Sequence, residues 1–181
     1  ILPIDPGITD VVKAYRFLKN RVRHTPTEYS FPLSEICGAP VYIKWENQQL
    51  CGSFKLRGAL YKMNSLTPEE RAKGVVTCSS GNHGQGVALA AKELGIRTQI
   101  FVPNVCPETK KSAIKRRGGE YVELVLTSGD YDFAEHSAHE QADRTGMTYV
   151  SSFEDATVIS GQGTAGFEMF TDEPDIGLLI I

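Results

Sequence analysis

Two short polar segments in the first half of the chain carry residue types that could do chemistry. Residues 52–58 read GSFKLRG and place Lys55 shortly after Ser53, a small residue that can cap a helix. Residues 79–84 read SSGNHG, between a β-branched run and an alanine-rich segment. A lysine that forms a covalent bond with a carbonyl compound needs a sheltered site, because desolvation disfavours its ammonium form. A glycine-spaced turn at the start of a helix offers backbone N–H groups to an anion.

Together the two segments resemble the pyridoxal-phosphate enzymes of the serine/threonine dehydratase and serine racemase family. The similarity extends to Glu46-Asn47, to Ala59 and to residues 159–164, which read ISGQGT, and it runs from about residue 11 to residue 181. It implies a tryptophan-synthase-β-like α/β fold in which a small domain is inserted into a large one. It also implies pyridoxal 5'-phosphate as the cofactor.

The resemblance implies a role for each motif position. Lys55 would carry the cofactor and, as the free amine, remove the α-proton of the substrate. Phe54 would pack beside the cofactor, and Asn82 would hydrogen-bond the phenolic oxygen of its ring. Ser79, Asn82 and His83 would bind the substrate carboxylate.

Details of the motifs distinguish among members of the family. Leu56 follows the lysine, and in this the chain resembles dehydratases. Threonine synthases and sulfhydrylases usually carry aspartate at that position. Ser80 is similar to the serine of serine racemases, whose hydroxyl can move a proton on the face of the ring opposite Lys55. The resemblance therefore predicts deamination of L-serine or L-threonine to a 2-oxo acid and ammonia. The alternatives are a serine racemase with Lys55 and Ser80 as its two bases, and a non-catalytic fragment.

The end of the sequence departs from the family pattern. In the family a strand similar to residues 176–181 leads into a glycine-rich loop that binds the cofactor phosphate, and some members have divalent-cation ligands further on. We therefore expect a processed chain or a fragment that holds the cofactor weakly, with any such cation bound by residues outside it. A companion chain carrying the missing half, and homo-oligomers of the complete enzyme, are also expected.

Composition excludes several other classes of protein. The 181 residues have a formal net charge of −3, which gives no reason to expect nucleic acid or an anionic membrane as a partner. We find no apolar run near the ~20 residues that a membrane-spanning helix needs. The four cysteines are scattered without a C-x-x-C pair, which favours a reducing, cytoplasmic location over a zinc ribbon or disulfide framework.

Helical and strand patterns alternate along the chain. We predict a parallel sheet covered by helices on both faces, with ligands beyond the carboxyl ends of its strands. The resemblance divides the chain into residues 1–73 and 152–181 for the large domain and residues 74–151 for the inserted one. The predicted helices cover residues 9–20, 54–65, 67–74, 84–94, 107–117, 131–145 and 161–170, and the strands cover residues 41–45, 75–78, 98–102, 121–126, 148–150 and 176–181.

Three further patterns suggest other functions and are weaker. Residues 161–166 fit G-x-G-x-x-G, but they follow no strand directly, so close helix packing is the better interpretation than dinucleotide binding. His136 and His139 share a helical face without the glutamate of a metalloprotease, so solvated side chains are favoured over a metal site. Ser79 and Ser80 lie near His83, but the chain contains no G-x-S-x-G motif of a serine hydrolase.

Overall fold

The structure, a computed structural model, describes residues 6–181. Two short 3-10 turns, Glu46–Gln48 and Gly119–Tyr121, accompany the longer elements. The helices are α1 Ile8–Leu18, α2 Phe31–Cys37, α3 Lys55–Asn64, α4 Pro68–Lys73, α5 Asn82–Leu94, α6 Glu108–Gly118, α7 Tyr131–Thr145 and α8 Ala156–Asp172. The strands are β1 Thr27–Tyr29, β2 Tyr42–Lys44, β3 Val75–Cys78, β4 Thr98–Pro103, β5 Val122–Thr127 and β6 Thr148–Tyr149.

A four-stranded parallel sheet in the order β5-β4-β3-β6 forms the centre of the fold. Every residue of β3 is buried, because its side chains alternate between two separate apolar clusters. Val75 packs into the larger cluster with Val87 of α5, while Val76 packs into the smaller one with Ala134 and Ala138 of α7. The predicted α/β fold, a parallel sheet covered by helices on both faces, is confirmed.

Beyond the sheet, α3 lies against both α5 and α8, and glycines form both contacts. A Cβ placed on Gly86 of α5 would lie 3.0 Å from the backbone nitrogen of Leu56. A Cβ placed on Gly161 of α8 would lie 2.7 Å from the carbonyl oxygen of Arg57 and 2.8 Å from the Cα of Gly58. The backbones therefore touch directly, and the interpretation of the 161–166 glycines as helix packing is supported by this contact.

Several helices begin or end where capping residues in the sequence predict it. Thr67 and Glu70 form a capping box at the start of α4, inside the predicted range 67–74. Gly95 ends α5 in the left-handed conformation that glycine adopts without strain. Helix α7 spans the predicted residues. Local capping chemistry therefore determines these ends.

Other boundaries were predicted wrongly. Helix α3 starts at Lys55 with Phe54 as its N-cap, and Ser53 does not cap it. Helix α1 starts at Ile8, one residue before the predicted start at residue 9, and the Gly7 N–H donates to Asp10. Helix α8 starts at Ala156, five residues before the predicted start, because Asp155 accepts hydrogen bonds from the Thr157 and Val158 N–H groups.

The prediction of a last strand over residues 176–181 was also wrong, since this segment has no regular secondary structure. A strand needs a neighbour to pair with its backbone, and within residues 6–181 this segment pairs with none. The side chains of Leu178, Ile180 and Ile181 are exposed. The prediction also missed α2 and the antiparallel pairing of β1 with β2, whose three-residue strands are too short to give a pattern.

The predicted division into domains remains a prediction. All four strands of the parallel sheet lie between Val75 and Tyr149, inside the segment predicted as the inserted domain. The antiparallel pair β1–β2 and helices α1, α3 and α8 come from the segments predicted for the large domain. This distribution is consistent with the division that the resemblance implied.

Replacing Gly161 by alanine should destabilise the protein, because the new Cβ would collide with the backbone of α3. We expect a loss of roughly 1–3 kcal/mol in the free energy of unfolding, measured by urea denaturation. Gly166 of the same helix is the matched control, since a Cβ there meets only a Leu179 methyl at 3.9 Å. Gly166→Ala should be neutral or stabilising by about 0.5–1 kcal/mol. Equal effects of the two variants would contradict this packing.

Candidate active site

The turn after β3 brings the second polar segment to the carboxyl edge of the sheet. Strand β3 ends at Cys78, and the Ser79 N–H continues the ladder by donating to the Phe101 carbonyl at 3.2 Å. Helix α5 then begins at Asn82 with Gly81 as an N-cap that makes no side-chain hydrogen bond. A Cβ on Gly81 would meet nothing within 4 Å, so the approach to the helix start is open. Its first N–H groups can therefore receive an anion.

Glycines bring this turn close to Lys55. A Cβ on Gly84 would lie 2.3 Å from the Ser79 carbonyl oxygen, and one on Gly86 would lie 3.1 Å from the carbonyl carbon of Lys55. Any larger residue at either position would push α5 away from the turn or from α3. The two polar segments are thus held together by backbone contacts rather than by side chains.

The Lys55 side chain is partly buried and has one hydrogen-bond partner. Its Nζ donates to the Ser152 carbonyl oxygen at 3.0 Å and lies 5.2 Å from the centre of the Phe54 ring. Burial lowers the pKa of Lys55 below its ordinary value, since the charged form loses solvation. A lysine with a lowered pKa holds more of the neutral amine that reacts with a carbonyl group.

His83 is buried and neutral. Its Nε2 lies 3.2 Å from the Val150 carbonyl oxygen, which can only accept, so Nε2 carries the proton. The Nδ1 atom is then a buried acceptor that has no partner among the described residues. Burial lowers the pKa of His83 to about 4; the hydrogen bond to Val150 opposes this shift and the charge of Lys55 adds to it. An unpartnered buried acceptor beside an open helix start is typical of a site that binds a ligand.

The other predicted site residues lie in the same turn or beside Lys55. Ser79 is buried, and its hydroxyl accepts from the Gly81 N–H at 3.2 Å. Ser80 is partly buried, and Asn82 is exposed as the first residue of α5. Phe54 lines the cleft described next. The structure therefore groups these positions, while their roles remain predictions.

A cleft of about 1830 Å³ opens beside Lys55. Phe54, Lys55 and Ser152 line one part of it, and residues of α8 and of the segment 176–181 line much of the rest. Most of its lining is apolar, and residues 79–83 are not part of it. The lysine thus lies between an apolar cleft and the polar turn, an arrangement that suits a flat aromatic group with an ionic end.

Four contacts around Lys55 and His83 have little or no signature in the sequence. Ser152 and Val150, which follow β6, act through backbone carbonyl oxygens, and any residue type can supply such an oxygen. Thr77 also donates to the Val150 carbonyl at 2.8 Å, which ties β3 to this loop. Gln162 approaches the Ser152 carbonyl at 3.4 Å, and its position in the 159–164 segment was the one available signal.

Beneath Lys55 lies a buried charge cluster centred on Arg57. Its guanidinium donates to both Glu46 oxygens, at 3.0 and 2.7 Å, and to both Glu168 oxygens, each at 2.8 Å. Lys44 contacts Glu168 at 2.9 Å and Asp172 at 3.4 Å. Burial acts to lower the pKa of Arg57, but the hydrogen bonds and charges of Glu46 and Glu168 outweigh it and raise that pKa. Arg57 is therefore a permanent cation in the interior.

The geometry of the described residues argues against the three weaker functions. The G-x-G-x-x-G segment lies inside α8 rather than at a helix start after a strand. His136 pairs with Glu140, and the His139 ring stacks on Tyr149 at 3.8 Å. His83 bonds a carbonyl rather than a serine hydroxyl. Within residues 6–181 we find no cluster of three metal-ligating side chains and no helix long and apolar enough to cross a membrane.

A family model described as pyridoxal-phosphate dependent enzyme matches residues 18–180. The chain belongs to this family. It is 41% identical to an L-threonine ammonia-lyase of Thermotoga maritima, covering 96% of this chain and 43% of that protein. It is 38% identical to a biosynthetic L-threonine dehydratase of Bacillus subtilis, covering 91% of this chain and 39% of that protein. The chain thus spans about two-fifths of the length of these relatives.

Solved structures of the same family have the same fold. The processed threonine deaminase isoform 2 of Solanum lycopersicum superposes with a TM-score of 0.86 at 38% identity, over 93% of this chain and 48% of that one. Maize serine racemase superposes with a TM-score of 0.88 at 32% identity, over 96% of this chain and 52% of that one. The resemblance that the two polar segments suggested is confirmed at the level of family.

The neutral state of His83 should make the stability of the protein depend on pH. The folded pKa of about 4 lies below the unfolded value of about 6.5, so the unfolded state binds a proton that the folded state excludes. The free energy of unfolding should therefore fall as the pH drops from about 6.5 to about 4, by about 3 kcal/mol from this residue. Chemical denaturation at a series of pH values measures it.

His83→Gln, which keeps a donor for Val150, should flatten this pH dependence. His136→Gln is the matched control, because His136 is exposed and pairs with Glu140, which is exposed as well. The control should leave the profile unchanged. A profile that His83→Gln does not alter would show that His83 titrates as a solvated histidine.

Proposed function

We propose that these residues form the lysine-bearing part of a pyridoxal-phosphate-dependent ammonia-lyase that acts on L-threonine or L-serine. The observation that carries the proposal is the position of the Lys55 amine. It is partly desolvated, bonded to the Ser152 carbonyl, and close enough to His83 in the first turn of α5 for its charge to lower the pKa of that side chain. The names of the relatives from Thermotoga maritima and Bacillus subtilis support threonine as the substrate.

The residues present fit the cofactor and an amino-acid substrate. Pyridoxal phosphate, when bound, withdraws electrons from the α-carbon of an amino acid. The Lys55 amine would hold the cofactor covalently and then remove the α-proton, which its lowered pKa favours. Phe54 would pack beside the cofactor, and Asn82 would hydrogen-bond its phenolic oxygen. The net reaction removes the α-proton and the β-hydroxyl as water and, after hydrolysis, gives a 2-oxo acid and ammonia.

The substrate carboxylate would bind at the start of α5. Backbone N–H groups and the Ser79 hydroxyl are the donors available there, with Asn82 at the exposed end of the turn. Because His83 is neutral and its Nε2 proton is used by Val150, we assign its contribution to its backbone N–H group. Its free Nδ1 would instead accept a hydrogen bond from a donor of the bound ligand.

The phosphate of the cofactor needs further donors, and we propose that residues outside these 181 supply them. The exposed apolar side chains of Leu178, Ile180 and Ile181 border the cleft and support a covering segment there. That segment would lie in the same polypeptide or in a companion chain. We also propose that the complete enzyme is a homo-oligomer and that any divalent cation binds outside these residues.

A reducing, cytoplasmic location fits the proposal. Among the described residues all four cysteines are free, and three of them are buried. The biosynthetic dehydratases among the relatives support the same location. An amino acid is the expected small-molecule partner, and the overall negative charge gives no support for nucleic acid.

Serine racemization is the second candidate function, and Ser80 is the observation that favours it. Its hydroxyl lies in the turn between the buried Ser79 and the open Gly81. From there it could return a proton to the α-carbon on the face opposite Lys55. The superposition on maize serine racemase supports this candidate as a side activity.

Reduction with borohydride after incubation with pyridoxal phosphate should label Lys55 ahead of the other lysines. Its partly desolvated amine is more reactive than those of Lys44 and Lys62, which are held in ion pairs with Glu168 and Asp155. Peptide mapping after a short reaction locates the label. Lys55→Arg should lose the selective label and, in the complete enzyme, all deaminase activity, whereas preferred labelling of Lys44 or Lys62 would overturn the assignment.

Replacing Ser80 by alanine in the complete enzyme should separate the two activities. We expect racemization and turnover of D-serine to fall about a hundredfold or more, as on removal of an acid–base group, while deamination of L-threonine changes little. Chiral chromatography of the amino acid and a coupled assay of the 2-oxo acid measure the two rates. Equal loss of both activities, or loss of neither, would contradict the role of Ser80 as a second base.

A further inference from the structure

We propose that Arg57, held by Glu46 and Glu168, is a positioning residue that fixes the first turn of α3 and thereby aims the Lys55 amine. This inference rests on the proposed role of Lys55. The resemblance assigned no function to Arg57, although it belongs to the same motif.

The first turn of α3 lacks the local interactions that usually stabilise a helix start. Its N-cap is Phe54, which makes no side-chain hydrogen bond, and the turn contains no acidic residue. It carries two cations instead, Lys55 and Arg57, where the helix dipole disfavours positive charge. Contacts from other parts of the chain must therefore hold this turn.

Arg57 makes such contacts with three other segments of the chain. Glu46 approaches from the 3-10 turn that precedes α3, and Glu168 approaches from the second half of α8. The same guanidinium also reaches the Arg23 carbonyl at 3.2 Å and the Thr164 hydroxyl at 3.3 Å. Its side chain is fully buried, so water does not compete for these bonds. A planar fork bound to two carboxylates restrains both the position and the rotation of the helix.

Glu168 is itself held in place by a second cation. Lys44, at the end of β2, contacts it at 2.9 Å and donates to the Thr25 carbonyl at 2.7 Å. Asp172 accepts from Thr27 at 2.6 Å and contacts Lys44 and His24, one turn further along α8. The cluster thus links β1, β2, α3 and α8, and only its outer end at His24 is substantially exposed.

The position of Lys55 depends on the same two elements. Lys55 precedes Arg57 by two residues on α3, and its amine bonds the Ser152 carbonyl just before α8. A loosened first turn would let the amine swing from Ser152 toward the open cleft. Its solvation, and with it the pKa that burial lowers, would then return toward ordinary values.

Glu168→Gln is the decisive variant, because it keeps the shape and one acceptor while removing the charge that Arg57 and Lys44 share. We measure the rate at which pyridoxal phosphate and borohydride label Lys55, across pH, relative to the exposed Lys13 in the same sample. We expect the Lys55 rate at neutral pH to fall roughly tenfold and its pH profile to move upward. Arg57→Lys, which keeps the charge but loses the fork, should have the same effect.

Lys62→Met is the matched control. Lys62 pairs with Asp155 at 2.7 Å and so joins the same two helices at the other end of α3. Lys62→Met should lower the thermal unfolding temperature and leave the labelling rate of Lys55 and its pH profile unchanged. This comparison separates positioning from general stability, and spectra recorded before labelling establish the folded fraction of each variant.

The outcomes distinguish the two proposals. If Lys55 of the unaltered protein shows no selective labelling, the proposed function fails. If Lys55 labels selectively in the unaltered protein, and folded Glu168→Gln and Arg57→Lys show the same Lys55 labelling rate, the positioning role is wrong. The proposed function would then still stand. Should Glu168→Gln not fold, Arg57→Lys decides the question. A slower rate in Lys62→Met equal to that in Arg57→Lys would also overturn the inference.

Discussion

The direct contact of the α3 backbone with two other helices is the constraint on which the rest of the structure depends. Gly86 lets α5 approach Leu56, and Gly58 and Gly161 let α8 approach the same turn of α3 at Arg57 and Gly58. Without this approach the turn after β3 and the loop after β6 would not both reach Lys55. The glycines therefore determine how closely the helices pack, and this packing brings the polar groups of the candidate site together.

Two different electrostatic regimes lie on either side of α3. At the site, burial is the largest influence: it lowers the pKa of both Lys55 and His83, and neither side chain forms an ion pair with another residue of the described range 6–181. Beneath the helix, Arg57 is buried as a cation because Glu46 and Glu168 compensate it fully. Burial thus shifts the Lys55 amine and the His83 imidazole toward their neutral forms, whereas the carboxylates beneath the helix keep Arg57 charged.

The sequence predicts a structural feature well when that feature depends on residues that are close together along the chain. The start of α4 after Thr67 and the end of α5 before Gly95 depend on neighbouring residues, and the predicted ranges 67–74 and 84–94 place both correctly. The grouping of Lys55 with the turn at His83 was predictable through the family resemblance. The Ser152 carbonyl and the partners of Arg57 were not, because a backbone oxygen has no residue-type signature and Glu168 lies 111 residues away along the chain. The predicted strand over residues 176–181 failed for a related reason, since pairing depends on a neighbour.

The tautomer of His83 limits what the site can do with a carboxylate. Because its one proton is donated to Val150, the imidazole offers neither a charge nor a donor to an anion. An anion at this turn would therefore depend on donors other than the imidazole, above all the backbone N–H groups at the start of α5, whose dipole favours negative charge. Those donors are fixed and do not titrate, whereas a histidine cation would be lost near neutral pH. A site of this kind can bind a carboxylate at a pH high enough for the Lys55 amine to act as a base.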